Sequence, residues 1–226
     1  MGERIMLEPT FGEEVEQEES KPSMLVVTGP QGSGNHLFAK LFNLRPEVYG
    51  WDMEKYWEGH HTEPFSELWW DTSKIKEFGW TLRSDFYTTN ISCPYVKNKE
   101  SQIPKYEEFI TEVEKYCNVV VAIIGRDRTI LEHEQNRVCE AHTTPDALEQ
   151  FEYLYTLNPY FVSMELVFLY RENYLRMVGM DLGFPVVEDS ELINAVLSDD
   201  SNEKYIHEID FAPLDLEIHR SSNIAS

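Results

Sequence analysis

The chain has 226 residues, with 19 Lys and Arg against 41 Asp and Glu, so its formal net charge at pH 7 is −22. With 42% hydrophobic and 13% aromatic residues, it can fill the core of a globular domain, which excludes a disordered or collagenous chain. Duplex nucleic acids and anionic membranes are bound through clusters of Lys and Arg, so we expect neither as a partner. Any anionic ligand is expected to be met locally, by backbone amides and a few well-placed cations.

The cysteines Cys93, Cys117 and Cys139 are odd in number and include no CxxC pair. This pattern argues against a disulfide framework and a thiolate metal site, and it favours a reducing compartment. No segment approaches the roughly 18 apolar residues of a membrane helix. The charged amino terminus does not resemble a signal peptide. The sequence therefore predicts a cytoplasmic protein with no membrane span.

The amino-terminal segment differs in character from the rest of the chain. Residues 1–22 carry seven glutamates and show little apolar periodicity, so they are predicted to form a flexible acidic arm. Residues 23–226 are predicted to form a single domain. Its first strand is expected at 24–28, followed by a helix at 37–44 that stops before Pro46.

The rest of the chain alternates between strand and helix patterns. Residues 51–80 show no clean period and are predicted to form loops and short helices, with a lid over a ligand as one hypothesis. Strand-favouring residues occur at 80–87, 88–95, 119–124 and 160–170, and helical patterns occur at 106–116, 129–140, 144–157 and 174–181. This order predicts an α/β fold, in which a central, mostly parallel sheet lies between two layers of helices.

The sharpest motif is the glycine-rich segment 29–36, between the first strand and its helix. Glycines let the backbone curl so that successive N–H groups point inward, and the amino terminus of a helix adds partial positive charge. We expect the following residues to bind a phosphate-like anion: Pro30, Gln31, Gly32, Ser33, Gly34, Asn35 and His36. The alternative is a glycine turn that only packs the helix against the strand.

The spacing of this loop disfavours two common nucleotide sites. Gly29 and Gly34 match the GxxxxG of a Walker A loop. Asn35 and His36 replace the Lys and the Ser or Thr that follow in that motif, so ordinary hydrolysis of magnesium nucleotides is disfavoured. A dinucleotide-binding fingerprint is disfavoured as well, because no third glycine stands three residues after Gly34.

The run of residues 25–46 resembles the 5′-phosphosulfate loop of sulfotransferases that use PAPS, 3′-phosphoadenosine 5′-phosphosulfate. In that family a strand leads to a Ser-Gly turn, matched here by Ser33 and Gly34, and then to a helix and a loop with a proline. The resemblance implies a P-loop-like fold, like that of P-loop NTPases, and PAPS as the donor. Gly32 stands where the family commonly has a basic residue, and His36 is expected to supply hydrogen bonding or charge instead.

The segment after the predicted strand 119–124 extends the resemblance. It is similar to the family's strand ending in Arg-Asn/Asp, which implies that Arg126 meets the 3′-phosphate of the donor. The family usually has a serine eight residues later, where this chain has Glu134. We therefore expect Glu134 to face away from the phosphate, and His133 or Arg137 to contribute instead.

A different interpretation of Arg126 is an ion pair with Asp127 or Glu132. A third segment, 168–185, resembles the strand, Tyr-Glu turn and short helix of the same family. The resemblance gives this segment a chiefly architectural role.

Transfer of a sulfuryl group needs a base near the acceptor and a cation or donor on the bridging oxygen. Arg83 and Asp85, at the predicted end of a strand over 80–83, offer a cation and a carboxylate in one turn. We expect His36 or Asp85 to be the base and Arg83 to stabilise charge. The alternative is that Arg83 and Asp85 form only a structural pair.

Tryptophan residues form another candidate feature. They could line an aromatic wall that receives a sugar face or a lipid, or they could belong to the core. The five residues are Trp51, Trp57, Trp69, Trp70 and Trp80.

The resemblance implies an enzyme that transfers a sulfuryl group from PAPS to a hydroxyl or amine of a small molecule or glycan. No metal is expected in this mechanism, because loop amides and arginines meet the charge. One alternative is a divergent nucleotide or nucleoside kinase, in which a lysine such as Lys40 replaces the Walker lysine. Another is a non-catalytic binding protein that keeps the fold. The sequence leaves the oligomeric state open.

Overall fold

The computed structural model describes residues 21–51, 63–80, 83–97, 100–139 and 143–199. Its strands are β1 (Ser23–Pro30), β2 (Val48–Tyr49), β3 (Phe86–Cys93), β4 (Tyr95–Lys97), β5 (Glu100–Gln102), β6 (Asn118–Gly125) and β7 (Tyr160–Ser163). Its helices are α1 (Asn35–Phe42), α2 (Tyr106–Val113), α3 (Arg128–Cys139), α4 (Thr144–Thr156), α5 (Met164–Leu182) and α6 (Ser190–Asp199), with a 3₁₀ helix at Thr72–Glu77.

Five of these strands form one parallel sheet, in the order β2-β3-β1-β6-β7. β1 is central, and its register pairs Val26 with Thr89 of β3 and with Val121 of β6. Residues 24–27 of β1 are fully buried, because helices cover both faces of the sheet. The prediction of an α/β fold with a central parallel sheet between helical layers is confirmed.

Alternate residues of β1 pack into two different cores. Met24 and Val26 face a core that includes α2, α4 and the segment 65–80. Leu25 and Val27 face a core that includes α1, α5 and α6. This division follows from the period of two along a strand, which sends successive side chains to opposite faces of the sheet.

The aromatic segment 65–80 is a fixed part of the domain. The Trp69 ring stacks on an aromatic ring of α2, with 3.8 Å between the ring centroids. Trp80 is also buried, with 3% of its surface exposed. The hypothesis of an aromatic wall is therefore wrong for these two rings, which belong to the core. Trp57 lies within residues 52–62, which are outside the described ranges. The hypothesis that this part of segment 51–80 forms a lid therefore stays a prediction.

The predicted strand at 160–170 is wrong beyond its first four residues. β7 ends at Ser163, and α5 begins at Met164. Ser163 caps this helix, because its Oγ accepts a hydrogen bond from Leu166 N at 3.3 Å. An apolar run of this length fits a buried strand or a buried helix equally well in sequence, and the cap decides for the helix.

The predicted strand at 80–83 is also wrong. β3 begins only at Phe86, and Trp80 lies in 3₁₀ conformation before it. Trp80 Nε1 donates to Ile75 O at 2.9 Å, which closes a turn at this point. Residues 83–85 therefore precede a strand and do not follow one.

Candidate functional site

The glycine loop lies at the carboxyl edge of the central strand. β1 ends at Pro30, the loop covers residues 31–34, and α1 begins at Asn35. Helix α1, which follows β1, covers one face of the sheet. Helix α2, which lies between β3 and β6 in the chain, and helix α4, which lies between β6 and β7, cover the other face. In open α/β sheets, ligands bind in the crevice at such a switch point. The position of the loop therefore suits a ligand site.

Two positions in this segment require glycine. A β-carbon on Gly29 would lie 2.4 Å from Ser33 Oγ and 2.7 Å from Ile124 O. Gly34 has a φ of +103°, and a β-carbon there would lie 2.4 Å from Met164 Sδ. The glycines thus allow the loop to fold back against β6 and α5.

A buried polar network closes the loop from within. Ser33 Oγ donates to Asn35 Oδ1 at 2.9 Å. Asn35 Nδ2 donates to Gly29 O and to Ser92 Oγ of β3, each at 3.2 Å. Ser33 and Asn35 were predicted to bind a ligand, but their side chains are buried and hold the loop together. Neither side chain is therefore directed at a ligand, and the backbone N–H of Ser33 is engaged as well, because it donates to Pro30 O at 3.0 Å.

Helix α3 and the segment just before it each donate a hydrogen bond to a carbonyl group of the loop. Gln135 Nε2 donates to Gln31 O at 2.8 Å. Arg126, which precedes α3, donates from Nη1 to Gly32 O at 2.7 Å and forms an ion pair with Glu134. Because a trans peptide points its N–H opposite to its C=O, the contact to Gln31 O turns the N–H of Gly32 away from α3. Backbone amides of a glycine loop that precedes a helix are the kind of donor that binds phosphate-like anions in other proteins.

Gln135 is not among the residues predicted from the sequence to belong to the site. Its signal was present, because Leu131 and Gln135 lie four residues apart on α3 and both are buried, with 4% and 1% of their surfaces exposed. A polar residue at the buried position of a helical repeat indicates a specific hydrogen-bond partner.

The predicted alternatives for the partner of Arg126 are wrong. Asp127 caps the start of α3, where its Oδ1 accepts from Thr129 N at 2.9 Å. Glu132 pairs with Arg128, with 2.6 Å between Nε and Oε1. The expectation that Glu134 faces away is not met either, because Glu134 is the carboxylate that pairs with Arg126.

His133 and Arg137 are the two residues of α3 that are predicted to contact the 3′-phosphate. His133 is exposed on the helix. Arg137 lies within α3, but its side chain is outside the described part of the structure. Their predicted contact with a 3′-phosphate stays a prediction.

His36 lies in the first turn of α1, directly after the loop. Its ring is half-buried, and its centroid lies 5.4 Å from that of Trp51. Lys40, one turn later, places its Nζ 5.3 Å from the Trp51 ring centroid. Trp51 thus contacts both basic side chains of this helix face.

Arg83 and Asp85 lie at the opposite edge of the sheet from the loop. Asp85 O accepts from Ser23 N at 2.8 Å, at the start of β1, whereas the loop follows the end of this strand. The seven residue steps of β1 span roughly 23 Å. Arg83 donates from Nη1 to Tyr49 OH at 2.9 Å and lies 4.8 Å from the Phe78 ring centroid. The structure therefore does not bring Arg83 and Asp85 together with His36.

A buried thiol lies beside the loop at the end of β3. Cys93 pairs in register with Pro30 and is fully buried. Burial raises the pKa of Cys93 to about 11. The neighbouring Tyr106 hydroxyl lies 2.6 Å from Thr28 Oγ1, inside the same core. The thiol is protonated at neutral pH, so this cysteine is unsuited to nucleophilic catalysis.

Comparison with protein-family models and with curated proteins gives no match to this chain. Within the described ranges, no helix combines the length and the apolar character that crossing a membrane requires. In the same residues, no group of three or more His, Cys, Asp and Glu side chains is arranged to hold a metal ion.

Proposed function

We propose that this chain is a sulfotransferase-like enzyme that transfers a sulfuryl group from PAPS to a hydroxyl or amine of a small molecule or glycan. The observation that carries the proposal is the glycine loop at the carboxyl edge of β1, with the Gln31 carbonyl held by α3 and the Gly32 amide turned away from it. Backbone amides at such a loop bind phosphate or sulfate oxygens. This loop, in a P-loop-like arrangement, would hold the 5′-phosphosulfate.

A binding site built on amides suits the charge of the chain. With 41 acidic against 19 basic residues, the net charge of the chain repels an anionic donor at long range. Oriented amides and the amino terminus of α1 supply partial positive charge without added lysines. The acceptor would meet the sulfur at the open side of this loop.

His36 is the catalytic candidate that remains beside the loop. The acceptor oxygen or nitrogen attacks sulfur, and the bond from sulfur to the 5′-phosphate oxygen breaks. The electron pair leaves on that oxygen, so PAP, 3′-phosphoadenosine 5′-phosphate, is released. The acceptor proton passes to His36, which is within one helical turn of the loop.

The cysteines support a reducing compartment such as the cytoplasm as the place of this reaction. Cys93 and Cys117 are free and buried, and no disulfide is needed to hold the described core together. The acidic charge disfavours nucleic acid and anionic membranes as partners. The partners proposed are therefore the nucleotide donor and its acceptor.

Calorimetric titration with PAP, with ADP as the comparison and with or without magnesium, tests this proposal. We expect micromolar binding of PAP that does not need magnesium. Gly32→Ala should weaken it, because Gly32 has a φ of +86° that an alanine strains. Asp85→Asn, at the other edge of the sheet, is the matched control and should leave the affinity unchanged.

The same titration separates the alternatives. Magnesium-dependent binding of ADP would replace the proposal by a kinase, in which Lys40 is the candidate cation. Absence of binding by both nucleotides would favour a second candidate function, a non-catalytic binding protein. One observation favours that candidate. Asn35 and Arg126 are predicted to bind the donor, but their side chains form hydrogen bonds with the loop itself.

A further inference from the structure

We propose that Arg126, Glu134 and Gln135 form a clamp that positions the glycine loop, and that Arg126 serves the loop and not the 3′-phosphate of a nucleotide. We call these three side chains, which lie on α3 or just before it, the α3 clamp. The inference rests on the proposed nucleotide-binding role of the loop, which it deepens by assigning positioning residues to it.

Gln135 is the most constrained member of the α3 clamp. Only 1% of its surface is exposed, and its Nε2 donates to Gln31 O at 2.8 Å. Its Oε1 accepts from Thr143 N at 3.0 Å and from Thr144 Oγ1 at 3.2 Å. Both ends of this amide are thus engaged, so its orientation is set by the start of α4 and transmitted to the loop.

Arg126 is held in a similar way by charge. Its side chain is 1% exposed and lies between the carbonyl of Gly32 and the carboxylate of Glu134, which is 13% exposed. A buried guanidinium is stable only when its charge is met inside the protein. Glu134 meets that charge here, so its carboxylate stabilises Arg126 against the loop.

The two carbonyl contacts fix two successive peptide planes. The first, to Gln31 O, turns the N–H of Gly32 away from α3. The second, to Gly32 O, fixes the plane of Ser33 N–H, which donates to Pro30 O at 3.0 Å. The α3 clamp thus holds the loop in one conformation before any ligand arrives, which lowers the ordering cost of binding.

The variant Glu134→Gln distinguishes a positioning role from direct contact with the 3′-phosphate. If Arg126 positions the loop, removing the charge of Glu134 loosens the clamp, and PAP affinity falls by at least about fivefold. If Arg126 instead contacts the 3′-phosphate, the same variant frees it and removes a repelling carboxylate, so PAP affinity rises. Unchanged or tighter PAP binding overturns the proposal.

Glu132→Gln is the matched control in this titration. Glu132 lies on the same helix and pairs with Arg128, whose side chain is 87% exposed. This pair does not contact the loop, so PAP affinity in this variant should equal that of the wild type.

Hydrogen exchange without any ligand supplies a second readout. In Gln135→Leu and in Glu134→Gln, amides in the peptide covering residues 29–36 should exchange faster, while those of β7 stay unchanged. Unchanged exchange in the loop overturns the clamp. If the wild type does not bind PAP, the proposed function fails on its own, and the exchange experiment still decides whether the clamp exists. Glu134→Gln provides the answer should Gln135→Leu fail to fold.

Discussion

Met164, the first residue of α5, packs against Gly34 so closely that a β-carbon on Gly34 would lie 2.4 Å from its sulfur. This contact joins the candidate loop to the helix that covers the same face of the sheet as α1. Met164 is fully buried, so its side chain has little room to withdraw. The conformation of the loop and the packing of α5 therefore depend on each other.

Gly34→Ala should lower the free energy of unfolding by about 2–4 kcal/mol, through backbone strain and overpacking together. Gly183→Ala is a matched control, because Gly183 also has a positive φ, +61°, but no atom lies within 4 Å of an added β-carbon. That variant should lose only about 1–2 kcal/mol, from strain alone. Urea denaturation measures both, and equal losses would show that the contact with Met164 is readily relieved.

The layered α/β fold could be predicted from the sequence because it follows from local patterns of apolar residues. The uninterrupted apolar runs within β1 and β6 are typical of strands buried on both faces, and in the sheet β1 is the central strand with β6 beside it. The strand predicted at 160–170 is wrong after Ser163 because the apolar residues 164–170 suit a buried strand or a buried helix equally well, and the hydrogen bond by which Ser163 caps the helix exists only in the folded structure.

The site was predictable only in part, for a different reason. The glycines of segment 29–36 indicate a candidate ligand-binding loop in the sequence. The hydrogen bonds that hold this loop come from residues far away in the sequence. Gln135 lies 104 positions after Gln31, and Arg126 lies 94 positions after Gly32. No local pattern specifies which side of a loop such a residue contacts, because that depends on how β6 and α3 pack beside β1.

Introducing a lysine at the Walker position, residue 35, should destabilise the protein and should not create binding of magnesium ATP. Asn35 is 3% exposed and its amide joins Gly29 O to Ser92 Oγ, so Asn35→Lys breaks both bonds and buries a cation. We expect a loss of about 2–4 kcal/mol in unfolding free energy and no gain in binding of magnesium ATP. The control Asn136→Lys, at an exposed position on α3, should be neutral.

Chemical denaturation and nucleotide titration check this prediction together. An Asn35→Lys protein that is as stable as the wild type and binds magnesium ATP would contradict it. That result would show that the buried hydrogen bonds of Asn35 can be lost without destabilising the loop.

Glu63 makes stability depend on pH. It is 6% exposed, and burial raises its pKa to about 8, a shift that the Thr89 hydroxyl and the Phe65 backbone only partly oppose. The folded pKa lies above the ordinary value of 4.5, so the folded state binds more protons than the unfolded state. Stability is therefore greatest at low pH, as far as this group is concerned, and is lost as pH rises from 4.5 to about 8.

Glu63→Gln removes this titration. The free energy of unfolding of the variant, relative to the wild type, should increase by on the order of 4 kcal/mol from about pH 5 to about pH 9. Urea denaturation across this range measures the trend. A difference between Glu63→Gln and the wild type that is constant with pH would contradict the assignment.

Arg83 should prove structural. Its guanidinium bonds Tyr49 OH and lies over the Phe78 ring, so Arg83→Gln should lose about 0.5–1.5 kcal/mol of stability. PAP affinity and any sulfuryl transfer should be unchanged, since Arg83 lies at the edge of the sheet opposite the loop. Loss of transfer with unchanged stability would make Arg83 a catalytic residue after all, and His36→Ala is the comparison that should lose transfer.

The two buried thiols should be unreactive in the folded protein. Burial raises the pKa of Cys93 to about 11 and that of Cys117 to about 12, so neither forms appreciable thiolate near pH 8, and neither is open to a reagent. In a Cys139→Ser background, a thiol-reactive disulfide should therefore give no signal from the native protein and a signal from both cysteines in denaturing urea. Rapid reaction of one thiol in the native protein would show that its core opens locally. For Cys93, which pairs in register with Pro30, such opening would reach the candidate loop itself.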